Sequence, residues 1–404
     1  MHSKIVIERK TLLYILMLFF IATPGYFRGE NGTAMDYFLL VGEFVTYFFI
    51  LLVWLHKKLS SFLVLAILMY GTIILSTYLN GGNVLLAIRI EVRYIFMIML
   101  IDNEGKKIDC LWKACVIYLT IMVVINAIAI LLFPNGIKYA YDGSLMQGQT
   151  QWFFDSKNGL GKYLLCLLYF KSDMDFRNLG KLSKGFYVIA FICVASVIVI
   201  WSATSIVTVC MMIILIVFAG LIKEKKYKLF NIYLSLGIVA GFFILFILFQ
   251  QASMFGYFLT EILKKNITFN GRTPIWANSI ARLMEKPILG YGYLNSSGFR
   301  ALIGRSAASD AHNYFLTLGI YGGFVAIVLF LLILILAMKA IRRRQYEFSG
   351  ITLTAFSFSF FLTMLFENTS MRLYWFVLAY AVYMGVEPEK RKHRMVIRRH
   401  LRSH

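Results

Sequence analysis

The sequence predicts an all-α, polytopic integral membrane protein with about twelve transmembrane helices and one large outer loop carrying an amphipathic helix. Three observations predict it. Of 404 residues, 60% are hydrophobic and only 15% charged, and mean hydropathy is +0.73. Soluble domains run about 45–50% apolar and about 25% charged. The apolar residues fall in runs near the roughly 20 residues that span a bilayer core, and the charges gather between the runs. A soluble enzyme, a disordered chain and a disulfide-stapled secreted domain are thereby excluded.

The runs lie near residues 11–28, 34–55, 59–79, 83–101, 111–133, 157–171, 185–201, 203–222, 229–250, 312–338, 348–366 and 372–386. The sixth is short. The seventh and eighth meet at Ser202–Thr204 and are open to reading as one broken helix. All five prolines fall outside the runs or at their edges, as a residue without a backbone N–H requires. The first run is flanked by basic residues and lacks a small-residue cleavage site, so it is expected to be a retained helix. The whole of 1–404 reads as one membrane domain.

Lys and Arg bias sets the orientation. With the N-terminus in the cytoplasm, most of the basic residues fall on the inner side, and the C-terminus is inside too. The net charge of +21 is then membrane topology and attraction to anionic lipid, and no nucleic-acid partner is implied. The tail 387–404 is a basic cytoplasmic segment on this reading. The five cysteines sit in runs or on the cytoplasmic side without C-x-x-C spacing, so neither a disulfide nor a zinc site is expected.

Two outer loops are long, 134–156 and 251–311. Loops of this size are usually functional or disordered, and the second, not low in aromatic or apolar residues, is expected to fold. The second contains Arg272-Thr273-Pro274-Ile275-Trp276, with Thr273 placed to cap a helix and Pro274 to begin it. Ile275, Trp276, Ile280, Leu283 and Met284 share one half of that helix. Asn278, Ser279, Arg282, Glu285 and Lys286 share the other. Pro287-Ile288-Leu289-Gly290-Tyr291-Gly292 follows, a turn-rich stretch whose backbone can approach a ligand closely. The loop closes with Asp310-Ala311-His312-Asn313. His312 is the only histidine outside on this topology, which rules out a multi-histidine outer metal site. Beside Asp310 it suits a general base, because imidazole titrates near neutral pH. A hydrogen-bonded structural histidine is the plainer alternative.

The fourth run carries Arg89, Glu91 and Arg93. Charges inside a membrane are costly and mark candidate sites. Arg89 and Arg93, one helical turn apart, suit a phosphate or diphosphate, and pairing with Glu43 is the structural alternative. Lys162 is expected to snorkel. Asp173-Met174-Asp175 resembles a metal-binding D-x-D, but a short loop without a nucleotide-binding domain points to a solvated segment. Tyr139, Tyr141, Trp152, Phe153, Phe154, Tyr291 and Tyr293 suit either sugar stacking or an interfacial belt. Asn368-Thr369-Ser370 has no context as a glycosylation site.

Taken in order, Gly271-Arg272 with Trp276, then Pro287, Gly290 and Gly292, then His312-Asn313-Tyr314-Phe315-Leu316 and Gly319, Gly322 and Gly323 form a pattern. It resembles the family of O-antigen ligases and surface-polysaccharide polymerases. The resemblance covers about 195–335. It implies glycosyl transfer from a polyprenyl diphosphate to a sugar hydroxyl at the outer face, without metal, nucleotide or other cofactor. It implies that Arg272 holds the diphosphate and His312 activates the acceptor, with Asp310, Trp276 and Asn313 as further substrate contacts. One position departs. Where members carry an arginine at the start of the eighth span, this chain has Ala203. Arg89, Arg93 or Arg282 would have to replace it.

The reading adopted is an inverting, metal-independent polymerase of lipid-linked capsular or O-antigen repeats in the bacterial cytoplasmic membrane. Its substrates are polyprenyl-diphosphate-linked oligosaccharides as donor and acceptor, within membrane lipid. A flippase and a chain-length regulator are its expected partners. A ligase that moves finished glycan to a lipid core or protein is the alternative within the family. A transporter or flippase of lipid-linked oligosaccharide is the alternative of another class.

Overall fold

A computed structural model describes residues 8–27, 34–104, 108–140, 149–221, 231–249, 271–345, 347–368 and 372–386. The tail 387–404 and loop residues 251–270 lie outside them. Among the described residues a helix stands at each of the twelve predicted runs. These are α1 (Arg9–Ile21), α2 (Ala34–Trp54), α3 (Ser61–Leu79), α4 (Val84–Glu104), α5 (Asp109–Leu132), α6 (Leu160–Leu179), α7 (Lys184–Val199), α8 (Ala203–Leu221), α9 (Ile232–Phe242), α12 (Tyr314–Arg342), α13 (Phe348–Phe366) and α14 (Arg372–Val386). Two more, α10 (Arg272–Glu285) and α11 (Ser296–Ile303), fold within the second long loop. Six, namely α2, α3, α5, α8, α12 and α13, are long and apolar enough to cross a membrane. Lys184–Val199 and Ile232–Leu248 are shorter apolar helices. The chain is thus all-α, as lipid demands of backbone that must satisfy itself. The one addition is an antiparallel hairpin in the first long loop, β1 (Lys138–Ala140) against β2 (Gln149–Gln151).

Polar caps begin several helices. Ser60 accepts from Leu63 N, Ser183 from Phe186 N, Asn295 from Gly298 N and Asn313 from Leu316 N. Each satisfies an N–H that the first turn leaves open. Thr273 does not cap α10. The helix starts two residues earlier than expected, at Arg272 after Gly271 in the left-handed region (φ +82°). The expected division of α10 shifts with it. Ser279 is buried with Ile275, Trp276 and Leu283, and Met284 is exposed.

α13 and α14 form the centre of the bundle and bury nearly every described side chain. α13 packs on α6 and α8, and α12 on α3 and α14. The outermost helix, α2, exposes Phe44 and Phe48, the pattern of a lipid-facing wall.

α6 runs on to Leu179, past its predicted end. Asp173 and Asp175 therefore lie in a helix and not in a solvated loop. Asp173 accepts from Trp112 Nε1 at 2.8 Å and pairs with Arg177. Asp175 pairs with Lys171 and accepts from Ser183. These partners occupy the carboxylates of the D-x-D. Lys162 does not reach for the interface alone, for its Nζ lies 3.4 Å from Asp155. α7 and α8 are separate helices, and the chain turns between them at Trp201 (φ +51°).

The P-x-x-G-x-G stretch has a structural task. α12 breaks at Gly323 (φ +64°, ψ −164°), and Pro287 and Ile288 fill the break. Their carbonyls accept from Phe324 N (2.7 Å) and Val325 N (3.3 Å), while Tyr291 N and Gly292 N donate to Ile320 and Tyr321 carbonyls. On the other side Thr77 Oγ1 accepts from Tyr293 N at 2.8 Å, and Asn80 binds Gly290 O and Lys286 Nζ. The close backbone approach that the glycines allow is to α12 and α3, not to a ligand.

Candidate active site at the loop edge of the bundle

The last carbonyls of α13 organise the site. A helix C-terminus leaves carbonyls unpaired and carries partial negative charge, so it attracts donors. Asn313 Nδ2 donates to Leu365 O at 2.9 Å. Arg272 donates to Phe366 O, and its other terminal nitrogen pairs with Glu367 Oε1 at 2.9 Å. Two pieces of sequence 40 residues apart, Arg272 and His312-Asn313, are thereby hung on three consecutive residues.

Trp276 completes the link. It is fully buried, and its indole N–H donates to Ala311 O at 3.1 Å. α10 thus fixes the residue immediately before His312. Asn313 is equally buried and caps α12. Both side chains position their neighbours, and neither is open to a ligand here.

His312 itself has φ +46°, a conformation costly for a side chain with a Cβ. Asp310 holds it there by accepting from His312 N at 2.6 Å. The imidazole Nδ1 lies 3.6 Å from the same Asp310 oxygen, and Nε2 lies 3.5 Å from Ala307 O. One edge of the ring faces a carboxylate, an arrangement that favours one orientation of a base.

A cavity of about 220 Å³ opens beside this edge, between α3, α4, α12 and the loop. Asp310, Glu91, Asn368 and Tyr94 line it, with Tyr293 of the loop. Burial pushes the Tyr293 phenol up from its ordinary pKa. Three lining residues are chain neighbours of charged groups. Asp310 precedes His312, Asn368 follows Glu367 and so Arg272, and Tyr94 follows Arg93.

Arg93 does not stack with Arg89. Its Nη2 bonds Glu43 Oε2 at 2.7 Å, and Arg372 bonds Glu43 Oε1 at 2.8 Å. Tyr47 donates to the same carboxylate at 2.9 Å. Two guanidinium groups thus share one carboxylate inside the bundle, where the sequence reading had Glu43 paired with the arginines of the fourth run as its structural alternative. Arg89 is exposed on α4. Arg282 is turned away as well. It donates to Leu302 O at 3.1 Å, tying α10 to α11, and pairs with Glu285 at 2.9 Å. That bond and a second from Tyr291 hold the Glu285 carboxyl below its ordinary pKa. None of the three replacements expected for the missing arginine lines the cavity, though Arg89 and Arg93 are chain neighbours of the lining residues Ile90 and Tyr94.

Arg372, Glu367 and Glu91 are participants that the sequence reading did not place. Arg372 and Glu367 flank a short connection and carry no motif. Trp152 and Phe154, read as sugar-stacking or belt residues, are buried. Trp152 Nε1 donates to Phe133 O and Phe154 N to Asn126. Tyr141, Thr369 and Ser370 lie outside the described residues.

The fold and this edge define a multi-pass helical membrane protein with a charged, cavity-bearing face. Residues 188–331 match the family model described as O-antigen ligase, a stretch from α7 into α12 that holds Arg272 and His312. This stretch is similar to the O-antigen ligase family. No curated protein matches the chain.

Proposed function

We propose that the protein polymerises lipid-linked repeat units of a capsular or O-antigen polysaccharide. The growing glycan leaves its polyprenyl diphosphate and joins a sugar hydroxyl of the next lipid-linked repeat. One observation carries the reading: Arg272 and Asn313, the residue after His312, both bond the end of α13, beside a polar cavity. The acceptor hydroxyl gives its proton to the His312 imidazole, and its oxygen attacks the anomeric carbon from the face opposite the diphosphate. The carbon–oxygen bond to the diphosphate breaks, the diphosphate keeps the electron pair, and configuration inverts. Arg272 meets the charge that develops, the term that matters most for such a leaving group. Arg93 and Arg372 supply the further cationic contact that Ala203 lacks, by releasing part of their hold on Glu43. A flippase presents the lipid-linked repeat on the outer face of the bacterial cytoplasmic membrane, and a chain-length regulator sets the product size.

The test is the glycan profile of cells lacking the protein, with lipid-linked and released fractions separated by size. Single repeats with long chains lost are expected. Long chains accumulating on the lipid carrier would replace the polymerase reading by the ligase one, which the description of the matched family favours. Unaltered output from a well-expressed His312→Ala protein would favour a transporter and overturn both.

A further inference from the structure

Five carboxylates are buried among the described residues: Glu43, Glu91, Asp173, Asp175 and Glu367. Four are held by cations, as the cost of burying a charge requires, and those bonds are given above. Glu91 is the exception. It is 5% exposed, and among the described residues it has neither an ion-pair nor a hydrogen-bond partner. It lines the cavity beside His312.

The rest of the lining says what would satisfy it. Among the described residues no Lys, Arg or His lines the cavity. A phosphate or diphosphate is therefore the wrong occupant, because nothing in the lining would meet its charge. What Glu91 lacks is a partner, and a carboxyl oxygen accepts hydrogen bonds from donors. The remaining wall combines tyrosine rings, such as Tyr94 and Tyr293, hydroxyls such as Ser296, and the aliphatic Ile73, Ile90, Leu294 and Leu318. A ligand with several hydroxyl donors around a ring with apolar C–H faces matches this wall. The volume of about 220 Å³ is roughly that of seven bulk waters at about 30 Å³ each, room for a single pyranose.

We propose that the cavity is a subsite for one neutral sugar ring of the acceptor, with Glu91 accepting hydrogen bonds from two of its hydroxyls. The inference rests on the glycosyl-transfer reading for its meaning, but the binding step stands without it. Glu91 positions the ring so that a neighbouring hydroxyl meets His312. It takes no proton in the transfer.

The experiment is saturation-transfer NMR on the full chain in nanodiscs, with methyl hexopyranosides as probes at millimolar concentration. Wild type and His312→Ala are expected to transfer saturation to a hexopyranoside. Glu91→Gln is expected to weaken binding about tenfold, the loss of one hydrogen bond. Ser296→Leu, which fills the cavity from its rim and leaves Glu91 intact, is expected to abolish the signal at an unchanged melting temperature. In a transfer assay Glu91→Gln raises the acceptor KM and lowers kcat less. No transfer to any hexoside in wild type, or equal transfer in all the variants, overturns the subsite. Binding of tetramethylammonium but no hexoside overturns it in favour of a cation. If His312→Ala keeps full glycan output while Glu91→Gln loses hexoside binding, the transfer reading falls and the sugar site stands. If His312→Ala is inactive and Glu91→Gln behaves as wild type, only the subsite falls.

Discussion

At His312 one carboxylate has two tasks. Asp310 accepts the His312 backbone N–H at 2.6 Å and stands 3.6 Å from its ring. The substitutions separate these tasks. Asp310→Asn keeps an oxygen for the backbone but removes the charge that favours the imidazolium formed during transfer. It is expected to lower kcat about tenfold, roughly 1.4 kcal/mol in the barrier, without moving the acceptor KM. Asp310→Ala also releases the strained backbone, and activity should fall toward that of His312→Ala, about 10²–10⁴-fold down. Single-turnover transfer with purified protein reads this, and equal rates for the three proteins would remove Asp310 from the site. Glu43 carries a stability prediction of the same scale. Glu43→Gln leaves Arg93 and Arg372 with their charges uncompensated and should cost about 3–5 kcal/mol, read as a lower melting temperature in detergent. Replacing Glu43, Arg93 and Arg372 together by apolar residues of similar size should cost less than Glu43→Gln alone. If it costs more, the cluster is not a charge-compensated unit.

The clip between the loop and the broken α12 explains at the level of elements why the family pattern holds glycines here. A Cβ on Gly323 would meet the Ile288 carbonyl, and one on Gly290 would meet the Ile320 carbonyl. Gly81 also has φ +68°, but nothing surrounds it. Gly81→Ala should therefore cost only the left-handed strain, about 1–2 kcal/mol. Gly323→Ala should cost distinctly more and free the 271–311 segment for limited proteolysis. Equal protease sensitivity of the two variants would argue against the clip. The helices themselves were legible in the sequence, because a bilayer leaves an apolar run of that length few alternatives. Arg272 and His312 were legible too, through motif order and the topological isolation of the histidine. The partners were not. Glycine spacing shows that backbones can approach closely but not which ones, and so the clip was read as a ligand loop. Arg93 likewise found its place only once Glu43 and Arg372, distant in sequence, were brought beside it. Glu91 looked like the odd member of a charged helix until its lack of a partner could be seen.

Across the whole molecule, hydrogen bonds fix which helix ends share a face. Lys10 pairs with Glu104 at 2.7 Å, Ser60 donates to Asp102, Arg177 pairs with Asp109 and bonds Tyr380, and Arg344 donates to Met384 O. Arg342 sits 5.0 Å over the Tyr233 ring, which places the start of α9 on that face. At the opposite face Gly25 meets Phe154, Arg372 meets Ile21, Lys286 meets Asn80, and Arg272 meets the end of α13. The alternation of the chain is thus self-consistent, with the candidate site on the second face. Charge gives an expectation of which face is inside. Lys57, Lys58, Lys181, Lys184, Arg342 and Arg343 all lie at ends of helices on the first face, and the positive-inside bias expects such ends in the cytoplasm. Arg305→Cys, in the loop after α11, should react with a membrane-impermeant maleimide on intact cells, in a background with Cys110, the partly exposed Cys210 and the buried cysteines replaced. Lys57→Cys and Lys181→Cys should react only after permeabilisation. The reverse labelling would put His312 in the cytoplasm, away from any repeat already carried across the membrane, and the polymerase reading would fall with it. Mixed labelling of Lys57 and Lys181 would instead break the alternation that these hydrogen bonds describe.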